Sequence, residues 1–198
     1  AVDVSQAMLD RLEKNANERR LPVRAIRSSF SNLHRAVGGT LDAVFCVGNT
    51  LPNLASPGEV DETLRAFAGL LNPGGILFLQ LVNFRRIVSR HDIIQSVKEV
   101  GDKTFVRFYE LGEARLTFNL LTIDRSGGEL RSKLRSSPHL HLERQDLVPS
   151  LTAAGFGSVE TYGNIRLEPF DEKRSSDLVL LAHRGDSKAI GGEGTRHR

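Results

Sequence analysis

Leu41-Asp42-Ala43-Val44-Phe45-Cys46-Val47-Gly48-Asn49-Thr50-Leu51 decides how the chain is read. From Leu41 to Val47 only Asp42 is polar, which suits a buried strand of a parallel sheet. Gly48-Asn49-Thr50 then interrupts the run at the carboxyl end of that strand, where an open α/β sheet places its ligand crevice. Glycine allows close backbone approach, and Asn49 offers both a donor and an acceptor. The plainer alternative is that Asn49 and Thr50 only organise a turn before the next helix.

That helix is the clearest in the chain. Ser56, Pro57 and Glu59 form a capping box with proline at the first helical position. Val60, Leu64, Phe67 and Leu71 recur at helical spacing and predict one buried face. Asn72-Pro73-Gly74-Gly75 ends the helix, and Ile76 to Val82 reads as another buried strand. Upstream, Ala1 to Ser5 reads as a strand end, and Ser5 is placed to cap a helix with apolar positions Met8, Leu9, Leu12 and Ala16. A short strand is predicted over Val23 to Ile26. Strand and helix alternate at this spacing in right-handed βαβ units, hence a parallel sheet covered by helices.

Downstream the character changes. Residues 36–82 carry one basic side chain, Arg65, against four acids, whereas residues 125–144 carry five basic side chains against two. Thr104 to Leu111, Ala114 to Ile123 and Leu130 to Ser136 predict an antiparallel meander with Ser126-Gly127-Gly128 at a turn. A helix over Gln145 to Ala154 ends at Gly155, and strands near 158–162 and 177–183 complete the fold. Gly185 to Arg198 reads as a disordered tail.

The 198 residues are 39% hydrophobic and 26% charged, with a net charge of +3. That is a globular composition, long enough to bury one core. The single cysteine, Cys46, excludes an internal disulfide. No apolar run approaches membrane-span length, so no membrane association is expected, and the small positive surplus does not imply nucleic acid.

Four pieces in order, Ala1-Val2-Asp3-Val4-Ser5, Phe45 to Leu51, Leu71-Asn72-Pro73-Gly74-Gly75 and Leu151-Thr152-Ala153-Ala154-Gly155-Phe156, resemble the class I S-adenosylmethionine-dependent methyltransferases. The Gly48-Asn49-Thr50-Leu51 stretch is most similar to the branch containing glycine N-methyltransferase. The resemblance implies a Rossmann-like α/β fold: a mostly parallel sheet with helices on both faces, antiparallel C-terminal strands and an inserted meander. Residues 1–184 would form the domain, with 104–143 as a β cap and 185–198 as a tail. It also implies that the first strand and its glycine-rich loop, about twenty residues before Asp3, are missing. The expectation is therefore an amino-terminally truncated enzyme that binds its cofactor weakly or not at all.

The resemblance assigns S-adenosylmethionine as cofactor and a small molecule as methyl acceptor, at nitrogen or oxygen. Asp3 would accept ribose hydroxyls, with Val4 beside it; taken alone, Asp3 reads as an acid favoured at a helix start. Ser29 stands where the family places an acid toward the adenine amino group, and Phe30 would pack on the purine. Val47, Gly48, Asn49 and Thr50 would lie along the methionine portion, and Asn49 and Tyr109 would face the reacting groups. In glycine N-methyltransferase an arginine clamps the substrate carboxylate; Val82 stands there, so glycine is disfavoured. Arg85, Arg86 and Arg107 are further candidates for contact with another acceptor. His139, His141 and Glu143 share one strand face and are read as a solvated polar face rather than a metal site. A homodimer and a cytoplasmic location are expected. The competing functional expectation is a non-catalytic methyltransferase-like interaction module.

Overall fold

The computed structural model describes residues 1–112 and 115–185. The expected tail lies, from residue 186 onward, outside the described residues. The chain opens with β1 (Val2–Asp3), α1 (Gln6–Glu18), β2 (Ile26–Arg27) and α2 (Leu33–Val37). Then come β3 (Leu41–Cys46), α3 (Pro57–Leu70) and β4 (Leu71–Val82), followed by α4 (Phe84–Arg90). A meander of β5 (Ile94–Val100), β6 (Lys103–Leu111), β7 (Arg115–Asp124) and β8 (Arg131–Leu140) precedes α5 (Arg144–Ala153), β9 (Phe156–Tyr162) and β10 (Asp177–Arg184).

Among the described residues the strands form three sheets. β1 and β2 pair in parallel, with Asp3 beside Arg27. β3 and β4 are parallel, and the sheet continues antiparallel through β10 to β9. The meander is antiparallel throughout, in the order β5-β6-β7-β8. Antiparallel C-terminal strands on a parallel start are the architecture expected from the sequence.

The central core lies between the β3-β4-β10-β9 sheet and helices α3 and α5. Leu64, Leu77, Leu79, Leu81, Leu151 and Leu180 are all fully enclosed there. α3 starts as read: the Ser56 hydroxyl accepts the Glu59 N–H at 3.2 Å, and Glu59 reaches back to the Ala55 N–H at 3.0 Å. Its apolar positions Val60, Leu64 and Phe67 are buried. α5 tolerates Pro149 in its interior and ends at Gly155, whose φ of 99° favours a residue without Cβ.

Several expectations are corrected. The β2 strand is Ile26–Arg27 rather than 23–26. β4 begins at Leu71, because Leu41 already pairs with it across an irregularity before Ala43. Ser5 makes no side-chain cap; the Asp3 carboxylate accepts the Ser5 N–H instead, at 2.8 Å. Met8 is 57% exposed, so only Leu9 and Ala16 anchor α1. β3 is buried on one side only: Cys46 is enclosed, whereas Phe45 is 69% exposed. The meander has a fourth strand, β5, unseen in the sequence. β8 extends through Pro138, which is tolerated because β8 is an edge strand. Among the described residues, no helix is long and apolar enough to cross a membrane.

Replacing Leu64 with alanine removes a side chain with no exposed surface from the centre of this core. The expected loss is about 2–5 kcal/mol of stability, read from urea unfolding.

Candidate functional site

Val2, Asp3 and Val4 at the end of β1, the 28–31 loop after β2, and one side of α3 enclose a cavity of about 630 Å³. Thr50, Asn53 and Leu54 complete its wall. The size falls within the range of small-molecule sites, about 300–1,000 Å³. Of the residues expected at a cofactor, Asp3, Val4, Ser29, Phe30 and Thr50 meet here. One Asp3 oxygen takes the Ser5 N–H, and the other has no partner among the described residues. A carboxylate so placed retains acceptor capacity for a diol. The Ser29 hydroxyl is shared with Ser31 at 2.8 Å, and Phe30 packs edge-on against Phe67 at 5.6 Å.

Val47, Gly48 and Asn49 do not wall this cavity. Val47 is 49% exposed, and the Gly48 N–H donates to the Gln80 side chain at 2.7 Å, which in turn donates to Asp177 at 2.8 Å. Those contacts fix the loop to the ends of β4 and β10. Asn49 faces a second cluster, next to the cavity through Thr50 and Asn53.

In that cluster Asn49 adopts φ 60°, the left-handed region that asparagine tolerates better than most residues. Its side-chain oxygen accepts the Val82 N–H at 3.0 Å, and its Nδ2 donates to the Tyr109 hydroxyl at 3.0 Å. The Tyr109 oxygen lies 3.3 Å from Nδ1 of His139, and His139 Nε2 lies 3.1 Å from Asn53 Oδ1. Asn53 donates both to the Asn49 and to the Thr50 carbonyl, each at 3.1 Å. With its amide nitrogen so engaged, the Asn53 oxygen is the acceptor, so His139 Nε2 carries the proton. His139 Nδ1 then accepts from Tyr109. The result is a closed, directional ring from Asn49 through Tyr109, His139 and Asn53 back to Asn49.

The ring joins β6 and β8 of the meander to the loop after β3. Tyr109 is 1% exposed and His139 4%, with Phe118 stacked on the imidazole at 5.4 Å. His139 is therefore not on a solvated face, contrary to the sequence expectation. Only His141 behaves as expected of a surface residue, pairing with Glu143 at 2.9 Å. Burial pushes the Tyr109 phenol up to about 12, partly offset by the Asn49 hydrogen bond. Tyr109 therefore stays protonated near neutrality and positions by hydrogen bonding rather than acting as a base. Burial also lowers the His139 value, favouring the neutral imidazole that the ring requires. The Cys46 thiol is pushed by burial to about 12 and is no nucleophile.

Residues 1–75 match the methyltransferase domain family model. A glycine/sarcosine N-methyltransferase of Aphanothece halophytica is 26% identical over 171 residues, covering 84% of this chain and 60% of that protein. Its counterpart in Halorhodospira halochloris is 31% identical over 88 residues, 44% of this chain and 33% of the other. The chain thus spans between a third and three fifths of these curated relatives. Among solved structures, an S-adenosylmethionine-dependent methyltransferase of Clostridium acetobutylicum superposes with a TM-score of 0.79 at 14% identity, over 94% of this chain and 74% of the other. The fold is that of the class I S-adenosylmethionine-dependent methyltransferases. The methyltransferase CcbJ of Streptomyces caelestis shares this class I fold, with a TM-score of 0.75, 19% identity, and coverage of 93% and 74%.

Against that class I frame, Asn53, Glu59, Glu62, Thr63 and His139 are the site residues the sequence reading missed. Glu59, Glu62, Thr63 and Ala66 follow helical spacing and form a second stripe on α3 beside its apolar one. That spacing was a usable signal.

Replacing His139 with phenylalanine keeps the stack on Phe118 but leaves Asn53 Oδ1 without a donor and the Tyr109 hydroxyl without an acceptor. The expected cost is about 1–3 kcal/mol. Because the fold favours the neutral imidazole, the wild-type chain is expected to lose stability as pH falls below the ordinary histidine value of 6.5. Above that value the stabilisation is complete. Denaturant unfolding between pH 5 and 8 should show this acid-side loss in the wild type and a smaller one in the variant.

Proposed function

We propose that this chain belongs to an enzyme that transfers a methyl group from S-adenosylmethionine to nitrogen or oxygen of a small-molecule acceptor by in-line displacement. The observation that carries this reading is the shared cavity of Asp3, Phe30 and Thr50, next to the Asn49 ring. Asp3, with an unpartnered carboxylate oxygen, would hold the ribose diol, and Ser29 and Phe30 would take the adenine. Glu62 and Thr63 supply further polar wall. The cofactor supplies an activated methyl on a sulfonium, so the reaction needs alignment and exclusion of water more than a general base. A neutral, buried Tyr109 and a rigid Asn49 suit that task. They hold the loop after β3 rigid beside the cavity without competing for a proton of the acceptor.

The acceptor is read as a small molecule. Relatives of this chain are glycine/sarcosine N-methyltransferases, and one structural neighbour is a sugar N-methyltransferase from Streptoalloteichus. Val82 in place of an arginine disfavours glycine. The domain would run over residues 1–184, with 104–143 as its β cap, in a cytoplasmic setting. We further propose that transfer is impaired in this chain. Among the described residues, the outer edge of β3 has no partner strand, and β1-β2 is a separate sheet. The non-catalytic module remains the alternative function.

The cap also supports a homodimer. Val97, Val106, Leu121 and Leu134 face one another across all four meander strands, and Val97 and Leu134 are more than half exposed. Replacing Val97 and Leu134 with lysine should convert a dimer to a monomer in sedimentation equilibrium while leaving the fold intact. A wild-type monomer would contradict the dimer.

Titration with S-adenosylhomocysteine by calorimetry tests the methyl-transfer reading. Asp3→Ala is expected to weaken binding at least about tenfold, equivalent to the loss of one charged hydrogen bond. Equal affinity of Asp3→Ala and wild type would reject the assignment of Asp3. No heat at any concentration, for the chain or for a version extended upstream, would favour the interaction module.

A further inference from the structure

The meander face that carries Tyr109 is covered at one end and bare at the other. α4 packs Phe84 and Ile87 on Tyr109, Leu116 and Phe118. Along β6 and β8 the next side chains on that same face are Arg107 and Arg135, then Phe105 and Lys133, then Lys103 and Arg131. The β7 residues between them are Leu120, Thr122 and Asp124.

The result is a trough of about 380 Å³ with a largely neutral floor and cationic sides. The sides stand two strand spacings apart, about 10 Å. Asp124 neutralises only the far end: it bonds Lys103 at 3.0 Å, and the Ser126 hydroxyl and N–H, then Lys103, hold its carboxyl below the usual range. Among the described residues no carboxylate lies within salt-bridge distance of Arg107, Lys133 or Arg135.

Lys133 and Arg135 line the trough without counter-charge, and Arg107 stands across Leu120 from Arg135 at its end. Such cations attract a multivalent oxyanion, and guanidinium forks suit phosphate oxygens in pairs. We propose that this trough binds a pyrophosphate-bearing small molecule, its anionic end against Lys133 and Arg135 and beside Arg107. The Arg107 and Arg135 row lies one same-face step from Tyr109, about 7 Å along the strand. On the methyl-transfer reading, which this link rests on, the molecule is the acceptor, with its reacting end toward the covered end of this face and the Asn49 loop. A nucleic acid is disfavoured, because Phe105 is the single aromatic side chain among the trough residues and offers little for successive bases to stack on.

The test is a pyrophosphate titration of the whole chain at low salt, followed by backbone amide shifts and calorimetry. Shifts confined to β6, β7 and β8 are expected, with Lys133→Glu/Arg135→Glu binding at least tenfold more weakly. Both residues are exposed, and an unchanged melting temperature confirms that the variant folds. The affinity for S-adenosylhomocysteine should stay the same in the variant, which separates this site from the cofactor cavity. If S-adenosylhomocysteine fails to bind both the chain and a version extended upstream while pyrophosphate still binds in the trough, the methyl-transfer reading falls and the anion site stands. Equal pyrophosphate binding by the wild type and the variant would overturn the proposal. So would a single-stranded oligonucleotide that binds the trough more than tenfold tighter than pyrophosphate, which would mark a nucleic-acid face.

Discussion

Asn49 is held in a left-handed backbone conformation, and the hydrogen bonds that hold it there also fasten the meander to the central sheet. Remove the ring, and Tyr109 and His139 become buried polar groups with nothing to bond. Keep it, and five polar groups from three parts of the chain are satisfied at once. Val82 and Asn49 close the loop on β4, Tyr109 and His139 reach it from β6 and β8, and Asn53 returns the chain of bonds to its start. A network satisfied in this way rigidifies its surroundings because each bond polarises the next. The cavity beside Asp3 and the wall formed by Thr50 and Asn53 inherit that rigidity.

Much of this was legible in the residues, for identifiable reasons. The α3 start was read correctly because Ser56, Pro57 and Glu59 act locally, each on a backbone group within four positions. Asp3, Val4, Ser29, Phe30 and Thr50 were grouped through the family resemblance and line one cavity, whereas Val47, Gly48 and Asn49 of the same group do not. β5 was missed because Ile94-Gln95-Ser96-Val97 lacks strict alternation; a pairing irregularity between Ile94 and Ser96 breaks the period. His139 was misread for a different reason. Period-two alternation says which side chains share a face, but not that α4 and Phe118 cover one end of that face and leave the other open.

The same covered and open division gives the meander two environments on one surface. Its shielded end supplies neutral hydrogen-bonding groups in a low-dielectric setting, and burial keeps both Tyr109 and His139 uncharged. Its open end carries permanent cations in water, where charge is inexpensive to maintain. A ligand anchored at the open end would lie within two or three residues of strand of the covered one. That gradient, from charge recognition to dry positioning, is what a transferase that must orient a reacting atom while anchoring a polar tail requires.

The most direct measurement is a crystal structure of the chain with S-adenosylhomocysteine. The account places the ribose hydroxyls within hydrogen-bond reach of the Asp3 carboxylate and the adenine beside Phe30, with the sulfur directed toward Asn49. A nucleoside bound elsewhere, or in this cavity with its sugar turned away from Asp3, would contradict it.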